Sequence, residues 1–134
     1  MLQTLNPKQI QMPQATTSKQ YDLEERTLQF AKQVRGFVKK LAKTIGNVED
    51  AKQLVRASGS IGANYIEANE SLSKRDFVHR IKICRKEAKE SAYWFKLVDV
   101  EEGALESERT ELINEATELT KIFGSIFEKS KLSI

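Results

Sequence analysis

Few side chains in this 134-residue chain have the types and spacing that catalysis requires. Cys84, the single cysteine, falls on the apolar stripe of a helical pattern, where a thiol packs more often than it reacts. His79, the single histidine, lies among basic residues and is typical of a surface imidazole. The Ser58-Gly59-Ser60 triplet lacks the flanking spacing of a nucleophile elbow. The sequence therefore predicts no catalytic residues and no enzymatic activity.

Metal and cofactor sites are equally unsupported by the sequence. One cysteine and one histidine cannot form a Cys/His zinc site within a single chain. Glu67 and Glu70 lie three residues apart, but no Glu-x-x-His motif follows, so a di-iron bundle site is not indicated. Residues 59–62 match a GxxG pattern formally, yet they lie inside a helical pattern without flanking strands. We predict no metal and no cofactor.

The basic residues between positions 74 and 96 form the most informative pattern. This segment holds eight Lys or Arg against three acids, whereas residues 99–118 hold eight acids against one Arg. At about 100° per residue on a helical wheel, seven side chains fall on one strip opposite the apolar stripe. We call this strip the basic ridge, and it consists of Arg75, His79, Lys82, Lys86, Lys89, Tyr93 and Lys96.

The basic ridge has two interpretations. A stripe of charge is typical of the solvated face of an amphipathic helix. Alternatively, Lys and Arg would bind the phosphates of a nucleic acid and release its counterions, while Tyr93 could stack on an unpaired base. No base-reading motif accompanies the ridge, so the pattern leaves both open. The net charge of +3 and the isoelectric point of about 9.0 indicate a mild preference for acidic partners.

A second stripe flanks the apolar face of the same segment. It consists of Ile83, Glu87, Glu90, Trp94 and Leu97. Exposing its large apolar side chains to water would be unfavourable. Either the core is wide enough to reach them, or they pack against another subunit. We favour a subunit interface because aromatic residues are enriched at interface centres.

Apolar residues recur with helical spacing in four segments between residues 22 and 128. This pattern predicts an all-α, antiparallel up-down-up-down four-helix bundle. Gly46 is expected to end the first helix, with Ile45 in its apolar stripe and Leu72 in that of the second. The expected N-terminal caps are Asp22, Asn47, Ser73 and Ser107.

The second predicted helix contains several small residues, among them Gly59 and Gly62. Two glycines in a helix interior cost about 2 kcal/mol relative to alanine. We interpret this small-residue surface as the place where another helix approaches closely, since a close contact would offset that cost.

The ends of the chain differ from the predicted bundle. Residues 1–20 carry two prolines, five glutamines, two lysines and no acids, without helical or strand periodicity. We predict that residues 1–21 form a flexible tail, or alternatively an arm that docks on a neighbouring subunit. Residues 129–134 are expected to form a short C-terminal tail.

The sequence also bears on cellular location. No apolar run approaches the length of a membrane span, which is about 20 residues. The N-terminus lacks the charged and apolar regions of a signal peptide. A single cysteine cannot form an internal disulfide, which favours a reducing compartment. We therefore expect a cytoplasmic protein that does not bind membranes.

Four stretches of the chain resemble the signature of a known family. They are SIGANYIEANE at residues 60–70, SKRDFVHRI at 73–81, CRKEAKE at 84–90 and YW at 93–94. Through them the chain resembles the bacterial four helix bundle proteins, also called 23S rRNA-intervening sequence proteins, over about residues 22–128. Asn64 and Glu67 match signature positions, and we interpret both as structural polar groups.

The resemblance implies a four-helix protomer that assembles into a ring-shaped homopentamer. Accessory variability proteins of diversity-generating retroelements are similar and bind nucleic acid through a positively charged surface. On these grounds we expect a non-catalytic, oligomeric accessory protein that binds nucleic acid through the basic ridge, with RNA favoured over DNA. The alternative is a structural scaffold whose partner is another protein.

Overall fold

The computed structural model describes residues 23–101 and 103–132, which fold into four α-helices without any strand. The helices are α1 (Leu23–Lys39), α2 (Ile45–Asn69), α3 (Lys74–Leu97) and α4 (Ala104–Lys131). Short connections join them, so consecutive helices lie side by side and antiparallel. The predicted all-α class and four-helix architecture are confirmed for these residues. The predicted tail at 1–21 lies outside them.

Helix α3 occupies a central place because it packs along both α2 and α4. Helix α1 packs mainly on α2 and touches α4 less extensively. Aromatic side chains join the helices inside the bundle. The Phe37 and Phe95 rings meet edge to face with centroids 5.3 Å apart, and Tyr65 meets Phe123 in the same way at 5.6 Å. Such pairs contribute about 0.5–1.5 kcal/mol beyond their buried area.

The predicted apolar stripes of α3 and α4 face this core. The buried members are Ile81, Cys84, Ala88, Ala92, Phe95, Leu112, Ala116, Leu119 and Phe123. Phe77 and Ile126, at the ends of these stripes, are only partly buried but still pack against the core. The opposite face of α3 is therefore turned to solvent.

The close contact between α1 and α2 occurs at Gly62. A Cβ atom there would lie 2.7 Å from Thr27 Oγ1, which is too close for any real side chain. Thr27 itself is buried, and its hydroxyl donates to the carbonyl of Leu23. Gly59 behaves differently, because a Cβ atom at that position would meet nothing within 4 Å.

The helix boundaries between α1 and α2 differ from the prediction. Helix α1 ends at Lys39, and Gly46 lies inside the first turn of α2 without a positive φ. The cap of α2 is Thr44, whose hydroxyl accepts from the Asn47 amide at 3.1 Å. Ile45 is 87% exposed, so its expected core position is wrong.

The Asn47 side chain links two loops through hydrogen bonds and does not cap a helix. Its side-chain amide donates to the carbonyls of Ala42 and Asp99, and its carbonyl oxygen accepts from the Asp99 amide at 2.9 Å. These bonds join the α1–α2 connection to the start of the α3–α4 connection. Because buried polar groups require partners, this fully bonded amide fixes one end of the bundle.

Of the other predicted helix boundaries, some agree with the structure and some do not. Ser73 caps α3 as predicted, and its hydroxyl accepts from the Asp76 amide at 3.0 Å. Helix α4 begins earlier than predicted, after Gly103, whose φ of 112° favours glycine. Ser107 thus lies within the helix. Leu72 lies beyond the end of α2 and is fully exposed, so its expected core position is also wrong. The predicted cap Asp22 lies outside the described residues.

Candidate nucleic-acid interface

All seven residues of the basic ridge are exposed along α3. None of its five Lys and Arg side chains forms an ion pair with a carboxylate in the described part of the chain. Lys82 makes one weaker contact, with its Nζ 6.0 Å from the centroid of the Phe127 ring on α4. The ridge is therefore a row of cations without counter-charges from residues 23–101 and 103–132.

The basic ridge borders a groove of about 1040 Å³ between α3 and α4. One wall is the ridge itself, from His79 to Lys96. The other wall is uncharged and consists of Thr117, Thr120 and Gly124 of α4. Both threonine hydroxyls donate to carbonyls of their own helix at 2.8 Å. The groove thus combines one cationic wall with one neutral wall.

Two acids of α4 have their partners on the side of α1 and not in this groove. Glu115 accepts two bonds from the Arg26 guanidinium of α1, at 2.7 and 2.9 Å. Glu108 pairs with Lys40 at 2.7 Å. Because these two carboxylates face α1, they do not neutralise the ridge that precedes them in sequence. The Glu115 partner also raises the pKa of Arg26, chiefly through the hydrogen bond.

Tyr93 and Trp94 lie side by side where the basic ridge meets the flanking stripe. Their rings meet edge to face with centroids 5.1 Å apart. Tyr93 is 58% exposed, whereas Trp94 is half-buried and packs against the core. The indole Nε1 of Trp94 is buried and has no hydrogen-bond acceptor within the described part of the chain. Trp94 thus supports the exposed tyrosine ring from one side.

The acidic and the apolar residues of the flanking stripe lie in different environments. Glu87 is only 5% exposed, and its carboxylate accepts from the Arg56 guanidinium of α2 at 3.3 and 3.5 Å. Glu90 lies 3.8 Å from the same guanidinium. Ile83 lies along the groove, and Leu97 is 49% exposed at the end of α3. The two acids are therefore paired within the chain, and Leu97 is the apolar member most exposed at the surface, whereas Trp94 packs partly against the core.

The buried thiol of Cys84 is unsuited to nucleophilic chemistry. Its Sγ lies 3.4 Å from the Ile61 carbonyl oxygen in the α2–α3 contact. Burial raises the pKa of the thiol to about 12, so it stays protonated at neutral pH. Across residues 23–101 and 103–132, no cluster of three or more His, Cys, Asp or Glu could hold a metal ion. None of the described helices is long and apolar enough to cross a bilayer.

A comparison with family models matches residues 19–125 to the 23S rRNA-intervening sequence proteins. The chain belongs to this family. The match covers all of α1, α2 and α3 and most of α4, including the basic ridge. A search of curated proteins finds no match.

A solved structure supports the same assignment to the 23S rRNA-intervening sequence family. It is a crystal structure of a Bacteroides thetaiotaomicron protein of unknown function from the S23 ribosomal protein family. The two chains share 30% identity with a TM-score of 0.67, over 78% of this chain and 96% of that chain. The neighbour confirms the fold and the family relationship.

The family signature at Asn64 serves the α2–α3 contact. Its side-chain amide donates to the carbonyl and the hydroxyl of Ser60, both at 2.9 Å. Its carbonyl oxygen accepts from the Arg80 guanidinium at 2.9 Å. Sequence reasoning left Arg80 out, although its cationic type and signature position were visible. Glu67 is exposed, and its backbone carbonyl accepts from Ser71.

Proposed function

We propose that this protein is a non-catalytic, nucleic-acid-binding accessory protein, and that the basic ridge of α3 is its contact surface. The observation that carries the proposal is the row of Lys and Arg that has no carboxylate partner among the residues that the structure describes. Phosphates would supply the missing counter-charges and release condensed counterions on binding. RNA is favoured over DNA because the family takes its name from intervening sequences of 23S rRNA.

The proposed active form is a cytoplasmic homo-oligomer, with a ring-shaped homopentamer favoured. The exposed Leu97 beside Trp94 supports an interface on the flanking stripe, since apolar surface is best covered by another subunit. A ring would present several copies of the basic ridge to one polyanion. Repeated weak contacts then add up through effective concentration.

The oligomer is tested with Leu97→Asp and Trp94→Asp, with Tyr93→Asp as the control. Tyr93 is adjacent to Trp94 but belongs to the basic ridge. Size-exclusion chromatography with light scattering should show an oligomer for the wild type and Tyr93→Asp. Both flank variants should dissociate, because an unpaired charge in a desolvated interface is strongly unfavourable. A monomeric wild type, or an intact Leu97→Asp oligomer, would contradict the proposed interface.

The nucleic-acid function is tested by fluorescence anisotropy with labelled RNA and DNA at increasing salt. Affinity should fall with a log–log slope of about −0.7 to −0.9 per phosphate neutralised. Replacing Lys82, Lys86 and Lys89 together with Glu should abolish binding while circular dichroism still reports a folded bundle. The matched control replaces Lys32, Arg35 and Lys39, which are exposed on α1, with Glu.

The control triple changes the net charge by the same amount as the ridge triple, so it separates surface location from overall charge. It should retain most of the affinity. Equal losses in both triples would contradict a role of this particular surface. Absence of binding by the wild type at about 50 mM salt, where electrostatic contacts are strong, would overturn the nucleic-acid proposal.

A protein-interaction scaffold is the second candidate function. An apolar groove of about 490 Å³ between α1 and α2 favours it, lined in part by Val38, Leu41, Val48 and Val55. Apolar surface of this kind can receive a protein partner. The scaffold becomes the preferred function if the wild type forms an oligomer but binds neither RNA nor DNA.

A further inference from the structure

The groove beside the basic ridge bears on which form of nucleic acid this protein would bind. Its two walls differ, because α3 supplies cations and an aromatic ring whereas α4 supplies Thr117, Thr120 and Gly124. Among the described residues, no carboxylate lines the groove. A polyanion lying in it would meet positive charge on one side and no repulsion on the other. A convex ridge alone would not provide this enclosure.

The cations follow the whole length of the groove. From Lys82 to Lys96 the helix rises about 21 Å at about 1.5 Å per residue. Lys86 and Lys89 lie between these two residues on the same wall. Such a row of charges parallel to a groove is the arrangement by which proteins track the backbone of one strand.

The packing of α3 disfavours insertion into a duplex. The major groove of B-form DNA is wide enough for one α-helix. Helix α3 has α2 packed along one side and α4 along another, so it is not a free-standing recognition helix. The major groove of an RNA duplex is narrower still and closed to side chains. A duplex would therefore touch only the crest of the ridge, whereas one strand can enter the groove.

Tyr93 supplies a stacking surface at this place. Its ring is exposed in the groove wall and is held edge to face by Trp94, which packs against the core. Lys89 and Lys96 lie one turn before and after it on the same wall. Unpaired bases offer a face to such a ring, whereas paired bases in a duplex are already stacked.

We propose that the α3–α4 groove binds a single-stranded segment, with phosphates on Lys82, Lys86, Lys89 and Lys96 and one base stacked on Tyr93. This inference rests on the proposed nucleic-acid function and specifies the strand form that the site selects. Selectivity comes from enclosure and stacking, and affinity comes from the lysines.

The test compares two probes at fixed salt by fluorescence anisotropy. One is a labelled oligouridine of about 12 nucleotides, within the usual site sizes of single-strand binding proteins. The other is a blunt RNA duplex of equal length. We expect the single strand to bind at least about tenfold more tightly, since a stacked base contributes about that factor or more.

A comparison of the wild type, Tyr93→Ala and Tyr93→Phe separates the contribution of stacking from that of charge. Tyr93→Ala should weaken single-strand binding by about 10- to 100-fold and leave duplex binding within twofold. Tyr93→Phe should restore the affinity because its ring still stacks. A 2-aminopurine base in the single strand should be quenched by wild type and by Tyr93→Phe but not by Tyr93→Ala.

The outcomes distinguish this inference from the function on which it rests. Suppose that duplex and single strand bind equally, that Tyr93→Ala changes neither, and that the ridge triple abolishes both. The ridge would then bind nucleic acid as proposed, and the single-strand inference would be overturned. If the wild type binds neither probe, both proposals fail.

Discussion

The α1–α2 contact and the α3–α4 contact each contain a helical glycine, but the two glycines have different surroundings. At Gly62 a Cβ atom would lie 2.7 Å from the buried side chain of Thr27. At Gly124 it would meet only Arg85 Cδ, at 3.4 Å, near the end of a flexible side chain. One glycine permits two helices to pack closely, and the other lies along an open groove. A glycine in a helical pattern therefore does not by itself identify a close contact.

The charges on the two sides of α4 also differ. Arg26 of α1 and Lys40, which directly follows α1, pair with carboxylates of α4. The lysines of the basic ridge face the neutral wall of α4 and pair with no carboxylate in the described chain. The same helix α4 thus neutralises one neighbour and leaves the other charged. This contrast is the physical basis for the proposal that the side of α4 facing α3, and not the side facing α1, belongs to a binding site.

The largest expected effect separates the two glycines directly. Gly62→Leu should lower the free energy of unfolding by about 3 kcal/mol, because the side chain must displace Thr27 or separate α1 from α2. Gly124→Leu should change it by less than about 1 kcal/mol, since the side chain enters the groove and leucine favours helix. Guanidinium denaturation followed by circular dichroism measures both. Equal losses would show that the α3–α4 contact is as tight as the α1–α2 contact.

Alanine substitutions at Gly62 and Gly59, on the same helix, should change the free energy of unfolding by smaller amounts and with opposite signs. Gly62→Ala should destabilise by about 1–2 kcal/mol through overpacking. Gly59→Ala meets open space and should stabilise by about 0.5–1 kcal/mol, because alanine loses less backbone freedom on folding. Combining Gly62→Ala with Thr27→Ala should recover part of the loss in a double-mutant cycle. Additive losses would mean that Thr27 is not what Gly62 accommodates.

Local sequence patterns were sufficient to predict the four helices but not all of the residues at which the helices begin. Ser73 could be predicted as a cap because its partner, Asp76, is three residues away. Thr44 and Asn47 are both good capping residues three positions apart, so the local pattern could not choose between them. What decides is the bonding of Asn47 to Asp99, 52 residues along the chain. No local pattern contains that contact.

The candidate site likewise has one part that a local sequence pattern predicts and one part that it does not. The basic ridge could be predicted because one helical wheel places Lys82, Lys86 and Lys89 on a common strip. The groove could not, since Thr117 and Thr120 approach α3 only when α4 packs against it. A linear charge count of the acid-rich segment that follows α3 does not show which neighbour its carboxylates face. The helical phase of that segment turns Glu108 and Glu115 toward α1.

The smallest expected effect compares a ridge lysine with a paired one. Lys89 has Arg85 and Lys86 as its neighbours one turn earlier on α3, and like charges at these spacings destabilise a helix. Lys89→Gln should therefore raise the free energy of unfolding by about 0.3–0.5 kcal/mol at low salt. Lys40→Gln removes the ion pair with Glu108 and should lower it by up to about 0.5–1 kcal/mol.

Salt dependence supplies the control for these small shifts in stability. Exposed charges are screened within about 3 Å at about 1 M salt, so both shifts should shrink toward zero there. A salt-independent change in either variant would indicate altered packing rather than altered charge. If Lys89→Gln weakens RNA binding while it stabilises the fold, the ridge retains repulsive charge that folding alone does not require. If it destabilises the fold as Lys40→Gln does, the ridge lysine has a stabilising partner, and the contrast between the two faces of α4 is wrong.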